Sequence, residues 1–185
     1  LKVRWPETTR LIPSATRSVQ VTLRDASGFE TFRVVNRPEG GGFSTLVFFG
    51  LTPGALDFSA RAYAAEDAQG VAVASAQSRV TLAAGVRTDV ALSLASAVDR
   101  IQVAPQDLEL SVGQVETLVA TARNAAGDVV PLTASLTTWT SRDTAVATVD
   151  ATGRVTARAA GTTQITFRDT ESGRSESALV VVAAP

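Results

Sequence analysis

Apolar and polar residues alternate along most of the chain, as they do in β-strands that bury one face. At the amino end Leu1, Val3 and Trp5 alternate with basic residues until Pro6 ends the run. Three later segments of the first half repeat this period of two. Their apolar positions are Val19, Val21 and Leu23, then Phe32 and Val34, then Leu56, Phe58, Ala60 and Ala62. The pattern predicts a series of half-buried strands in which these residues form the buried face.

Turn residues separate the predicted strands, for example Pro53–Gly54 and Gly85. No segment has a convincing apolar period of helical length, and the Ala-rich stretch around Tyr63 is where helix is most favoured. A short connector at 96–99 precedes a second series of alternating segments. The sequence therefore predicts an all-β chain with roughly seven strands in each half. The predicted domains are residues 1–97 and residues 98–185.

Composition agrees with a folded protein and excludes some functions. The 185 residues are 45% hydrophobic and 19% charged, with a formal net charge of −1. Neither half has the basic surface that nucleic-acid binding requires, so we expect no nucleic-acid partner. No apolar run approaches the roughly 18 residues of a membrane-spanning helix, and we expect none. The absence of Met suggests a processed or trimmed chain.

The second half carries an ordered set of small, apolar and turn residues from about 98 to 184. In sequence order the set is Ile101, Val103, Pro105, Leu110, Val112–Gln114, Leu118, Ala120, Gly127, Trp139, Ser141, Ala145–Val149, Gly153, Val155, Ala157, Gly161–Thr163 and Ile165. This pattern resembles the bacterial immunoglobulin-like group 2 domain found in invasin- and intimin-type surface proteins. The resemblance implies an immunoglobulin-like β-sandwich.

The first half has a less specific resemblance. Its FFGLTPG turn, followed by LDFSARAYA, resembles transthyretin-like and carboxypeptidase-regulatory-like β-sandwich modules. Taken together, the two resemblances predict two tandem immunoglobulin-like β-sandwich domains. They imply a secreted bacterial protein at the cell surface, with a structural or adhesive role. The partners implied are other copies of the chain, neighbouring surface-protein domains, or a host or matrix glycan or protein.

The alternation explains the second-half pattern in physical terms. In a sandwich, inward side chains fill a core between two sheets while their neighbours face water. Val155, Ala157, Ile165 and Phe167 are thus expected to pack against Trp139. Gly residues stand where tight connections require a positive φ or a close approach of the backbone; the two positions are Gly153 and Gly161.

Catalytic chemistry has few candidate residues. The chain contains no His and no Cys, so the usual general base, thiol nucleophile and commonest zinc ligands are missing. The one lysine, Lys2, lies on the predicted solvent face of a terminal strand. We therefore expect no enzyme activity, no catalytic residues and no cofactor.

Acidic residues near predicted strand ends are candidate calcium ligands. Asp143, Asp150, Asp169 and the pair Glu66–Asp67 lack the dense Asp-x-Asp-x-Asp-Gly spacing of a calcium loop. Asp also accepts backbone hydrogen bonds in turns. The sequence favours a turn role for these residues and predicts no metal site.

The candidate site is the terminal strand formed by Leu1, Val3 and Trp5. Its apolar face could complete the sheet of a neighbouring copy and build a filament by strand addition. Pairing within its own domain is the favoured alternative, because most terminal strands pair in this way. A glycan- or other ligand-binding module is the second functional hypothesis, for which Trp5 would be an exposed stacking residue.

Overall fold

The structure, a computed structural model, describes residues 2–5, 15–39, 42–86 and 93–184. It divides into two compact units, Leu1–Ala97 and Val98–Pro185. Regular structure in the described residues is β-strand, apart from short 3₁₀ turns at Glu66–Ala68 and Ala134–Leu136. The all-β prediction is confirmed. The Ala-rich stretch around Tyr63, where helix was most favoured, is the end of a strand.

The first unit has seven strands in its described residues. They are β1 (Lys2–Trp5), β2 (Ser18–Arg24), β3 (Glu30–Asn36), β4 (Gly42–Thr45), β5 (Gly54–Tyr63), β6 (Ala72–Leu82) and β7 (Ala95–Ser96). Five of them form an antiparallel sheet in the order β3-β2-β5-β6-β7, and β1 pairs with β4 in a separate two-stranded sheet.

The core of the first unit follows the predicted alternation on β2 and β5. The inward residues of the two strands stand directly opposite one another, as in the pairs Val19 with Ala62 and Val21 with Ala60. All four of these side chains are buried. Burying apolar side chains at every second position stabilises the sheet on this face and leaves the other face to water.

Strand β3 presents the opposite face from the one predicted. Arg33 is the residue paired with the buried Val21, so Arg33 lies on the core side of the sheet, although its side chain is exposed at the sheet edge. Phe32, expected to be buried, pairs with Thr22 on the outer side and is 57% exposed. The guanidinium of Arg33 lies 5.9 Å from the centre of the Phe48 ring. A long side chain with an apolar stem can thus cover the margin of the core at this edge strand.

Within its described residues, 98–184, the second unit has nine strands. They are β8 (Arg100–Ala104), β9 (Asp107–Ser111), β10 (Val115–Thr117), β11 (Val119–Arg123), β12 (Thr137–Ser141), β13 (Ala147–Val149), β14 (Arg154–Ala157), β15 (Gly161–Asp169) and β16 (Ser175–Ala183). One sheet has the order β12-β15-β16-β9, in which β9 and β16 are parallel. The other strands pair antiparallel as β10-β14-β13 and β11-β8.

Side chains from both sets of strands fill the core of the second unit. Val155, Ala157, Ile165 and Phe167 are all buried, as predicted. The segment 114–123, expected as one strand, is divided at the buried Leu118, whose N–H donates to the carbonyl oxygen of Gly153 at 2.9 Å. This division accounts for one of the strands beyond the roughly seven expected.

Candidate functional site

The amino-terminal strand, predicted as an assembly strand, pairs within the chain. In β1, Val3 stands opposite Ser44 and the backbone of Trp5 opposite that of Gly42. The Val3 side chain is half-buried. Leu1 and the side chain of Trp5 lie outside the described part of the structure. The described backbone thus places the candidate strand beside β4 of its own chain.

Asp150 holds the turn between β13 and β14. One carboxylate oxygen accepts hydrogen bonds from the N–H and hydroxyl of Thr152, at 2.8 and 2.6 Å, and from the N–H of Arg154 at 3.1 Å. These donors, led by the Thr152 hydroxyl, lower the pKa of Asp150. An oxygen with three donors is committed to its own turn.

Asp169 and Asp143, two other candidate metal ligands, also accept hydrogen bonds within their own turns. Asp169 is 1% exposed and accepts hydrogen bonds from the N–H and hydroxyl of Ser172, in the turn between β15 and β16. Asp143 accepts the N–H of Ala145 at 2.9 Å. Asp67 exchanges two hydrogen bonds with Asn36. Among the described residues, no three acidic side chains come together as a metal site would require.

Asp25 is a structural carboxylate that the sequence analysis missed. One of its oxygens accepts from the N–H groups of Ser27 and Phe29, and the other from the N–H of Thr52 at 2.8 Å. It therefore ties the β2–β3 turn to the loop before β5. The hydroxyl of Ser27 and the N–H of Thr52 lower the pKa of Asp25. The DASG sequence at 25–28, typical of an Asx turn, was the signal available.

Trp139 faces the interior of the second unit, as expected, but is only half-buried. Its ring packs edge-to-face on Phe167, with 4.9 Å between ring centroids. Gly153 lies directly beneath the indole, so close that a methyl group there would be 3.2 Å from the ring atoms. Trp139 thus links the β12–β15 pair to the turn before β14, and it covers the margin rather than the centre of the core.

The outer face of the five-stranded sheet in the first unit carries charged, polar and aromatic side chains. A shallow groove of about 490 Å³ lies over β2, β5 and β6 and the start of β3. Asp57 and Arg79 form a bidentate ion pair across it, with N–O distances of 2.6 and 2.9 Å. Arg79 lowers the pKa of Asp57. Phe32 lies on this same outer face of the sheet.

The described residues form no apolar helix of the length that a membrane span needs.

A comparison with curated proteins found no match. Among solved structures, the chain is similar to domains 5–6 of the S-layer protein SbsC, with 23% identity and a TM-score of 0.41, over 48% of this chain and 46% of that one. Domains 4 and 5 of SbsC match with 19% identity and a TM-score of 0.41, over 72% of this chain and 67% of that one.

A third similar structure is the carboxy-terminal 282-residue fragment of intimin, solved with the intimin-binding domain of its translocated receptor. It has 16% identity and a TM-score of 0.39, over 97% of this chain and 56% of that one. The chain thus spans about half of the first SbsC structure and of the intimin fragment. The family model of the bacterial Ig-like domain (group 2) matches residues 97–180. That segment begins just before β8 and ends within β16, so it covers most of the second unit, which is similar to bacterial Ig-like domains of group 2.

Proposed function

We propose that the chain is a non-enzymatic structural or adhesive segment of a bacterial surface protein, exposed outside the cell. The observation that carries the proposal is the match of residues 97–180 to the bacterial Ig-like group 2 family. The described chemistry supports it, because the carboxylates of Asp25, Asp150 and Asp169 hold turns. Turns held in this way stabilise the loops at the ends of a β-sandwich, as a structural or adhesive module requires.

The residue types in the chain support the non-enzymatic part of the proposal. The sequence contains no His and no Cys. Asp25, Asp150 and Asp169 have carboxylate oxygens filled by local N–H and hydroxyl donors. A general base needs a lone pair directed at substrate, whereas these carboxylates accept hydrogen bonds from their own turns, which favours a structural role.

Surface exposure is tested with an antibody raised against the purified chain. Intact cells of the bacterium that makes the protein should be labelled as strongly as permeabilised cells. A protease added to intact cells should remove the signal, while an antibody to a cytoplasmic protein serves as the control for cell integrity. Labelling that requires permeabilisation would overturn the proposal.

A finer form of the proposal is assembly through β1. The strand addition predicted from Leu1, Val3 and Trp5 would place Lys2–Trp5 of one copy beside Gly42–Thr45 of the next, as an exchange of the pairing described within one chain. Among the described residues β1 pairs only with β4, so an exchange would break few of the described contacts, which supports the idea.

Deletion of residues 1–5 tests this form. If copies exchange the strand, the intact chain forms polymers that resist dilution, and the deleted chain is a monomer whose melting temperature rises when the peptide LKVRWPET is added. Trp5→Asp should behave as the deletion does. A monomeric intact chain at high concentration, with no effect of the peptide, would refute strand exchange and leave surface exposure untouched.

A further inference from the structure

We propose that the outer face of the five-stranded sheet in the first unit binds the same face of a second copy of this chain. Four strands, β3, β2, β5 and β6, cross this face side by side. Their outward residues form rows that run across the strands. The row that we call the charged rung consists of Glu30, Arg24, Asp57 and Arg79.

The charged rung alternates in sign. Each of its members is directly opposite the next in the strand register, so the order across the sheet is negative, positive, negative, positive. In the reverse order the signs are positive, negative, positive, negative, so each position of the row then carries the opposite charge. A rung of this kind is complementary to its own reversed copy, and an isologous contact brings a surface together with its own reversed copy.

The charges also select one orientation of the two copies. A twofold axis parallel to the strands, between β2 and β5, reverses the rung. Glu30 then faces Arg79 of the second copy, and Arg24 faces Asp57 of the second copy. A twofold axis along the rung would instead place each charge against itself, which is repulsive. Electrostatics therefore favours the first arrangement.

The neighbouring rungs are compatible with the same arrangement. They are Phe32, Thr22, Ser59 and Gln77, and then Val34, Gln20, Arg61 and Ser75. Arg61 is the one charged residue among these eight, and reversal places it opposite the amide of Gln20 of the second copy. Exposed Phe32 meets Gln77 of the second copy, so that some apolar surface is also covered.

Two of the four residues of the charged rung can form further ion pairs. Asp57 and Arg79 bind each other, with side chains 51% and 72% exposed. In the described part of the chain, the side chains of Arg24 and Glu30 have no hydrogen-bond or ion-pair partner. The proposed contact supplies a partner to both.

The size of the face predicts a weak contact. Four strands about 4.8 Å apart and three rungs about 7 Å apart give a patch of roughly 15 by 14 Å between backbone positions. This is smaller than a standard protein interface, and it is held mainly by exposed charges. We therefore expect a dimer that is populated at high protein concentration and low ionic strength.

Sedimentation equilibrium of the full chain tests the contact first. At about 20 mM salt the chain should associate to a dimer, and at about 0.5 M salt its dissociation constant should rise at least about tenfold. A chain that stays monomeric at low salt and the highest soluble concentration would overturn the proposal.

Two single charge reversals give a sharper test. Arg24→Glu leaves both middle positions of the charged rung negative, and Asp57→Arg leaves both positive. Each variant alone should be monomeric, since like charges then face each other across the twofold axis. An equimolar mixture should form a one-to-one dimer with a dissociation constant near that of the parent. A dimer that forms only on mixing shows that both variants are folded, because misfolded chains would not regain the contact. Circular dichroism checks the fold of each variant separately.

Matched reversals elsewhere serve as controls. Arg168→Glu and Glu109→Arg make the same changes of net charge at exposed positions in the second unit, and both should dimerise as the parent does. If the mixture of the two rung variants stays monomeric, or if each variant dimerises alone, the proposed face is wrong.

A glycan array tests the alternative that the groove binds a carbohydrate. Glycan binding by the parent that both variants lose, without recovery on mixing, would assign the groove to a carbohydrate and overturn the dimer.

Discussion

Gly153→Ala adds one methyl group at a position where the second unit has no room for it. Gly153 closes the turn after Asp150, with φ of +84° and its N–H bonded to the Asp150 carbonyl oxygen at 3.1 Å. A Cβ at this position would overlap the carbonyl oxygen of Leu118 and would lie 3.2 Å from the Trp139 ring. The carbonyl belongs to the backbone between β10 and β11, so it cannot simply rotate away.

Two terms add to the expected loss of stability. A side chain held at positive φ costs roughly 1 to 2 kcal/mol. Forcing the backbone and the indole apart costs roughly 1 to 3 kcal/mol more. Together they remove roughly 2 to 5 kcal/mol from a domain whose free energy of unfolding is about 5 to 15 kcal/mol. For a unit of this size the melting temperature should fall by at least about 8 °C.

Gly127→Ala is the matched control. Gly127 also closes a turn at positive φ, +93°, but a Cβ there would meet nothing within 4 Å. This substitution should lower the free energy of unfolding by roughly 1 kcal/mol. The strain of a positive φ destabilises the native state, and part of this cost is offset because alanine reduces the entropy of the unfolded chain. Calorimetry of the full chain measures both, and hydrogen exchange of peptides from 98–184 assigns the transition to the second unit. Equal losses in the two variants would refute the argument from close approach.

Trp139→Ala should cost roughly 2 to 3 kcal/mol, less than truncating a fully buried aromatic residue, because the indole is only half-buried. Thr140→Ala, on the outer face of the same strand, should lie within about 0.5 kcal/mol of the parent in chemical denaturation, and equal effects would show that Trp139 does not pack inward. A chelator should leave thermal unfolding unchanged, whereas a lower melting temperature after chelation would reveal a metal site. The lowered pKa of Asp25 makes the native state bind fewer protons than the unfolded state as pH falls through the ordinary carboxyl pKa. Asp25→Asn should therefore melt below the parent at pH 7 and approach it below about pH 4, and a constant difference between pH 7 and pH 2 would contradict this role.

Local patterns in the sequence were sufficient to predict the strands and their buried faces where apolar residues alternate with polar ones without interruption. In β5 and β15, residues such as Phe58, Ala60, Ile165 and Phe167 are buried as predicted. A strand between two neighbours must bury one complete face, so the period of two leaves a single solution. The turn role of Asp150 was equally local, since its donors lie within four residues.

Tertiary structure decided what depends on register and on position within a sheet. The TFRVV segment of β3 contains apolar residues at both odd and even positions, so its alternation does not select one buried face. Because β3 lies at a sheet edge, Arg33 can lie on the inner side while Phe32 faces water. Trp139 is only half-buried because of the elements around it, which the alternation of its own strand does not specify. The charged rung combines residues from four strands, 24 to 79, and its order of signs exists only once the strands are paired. Periodicity fixes which side of a strand is apolar, whereas the residues opposite that side are set by long-range pairing.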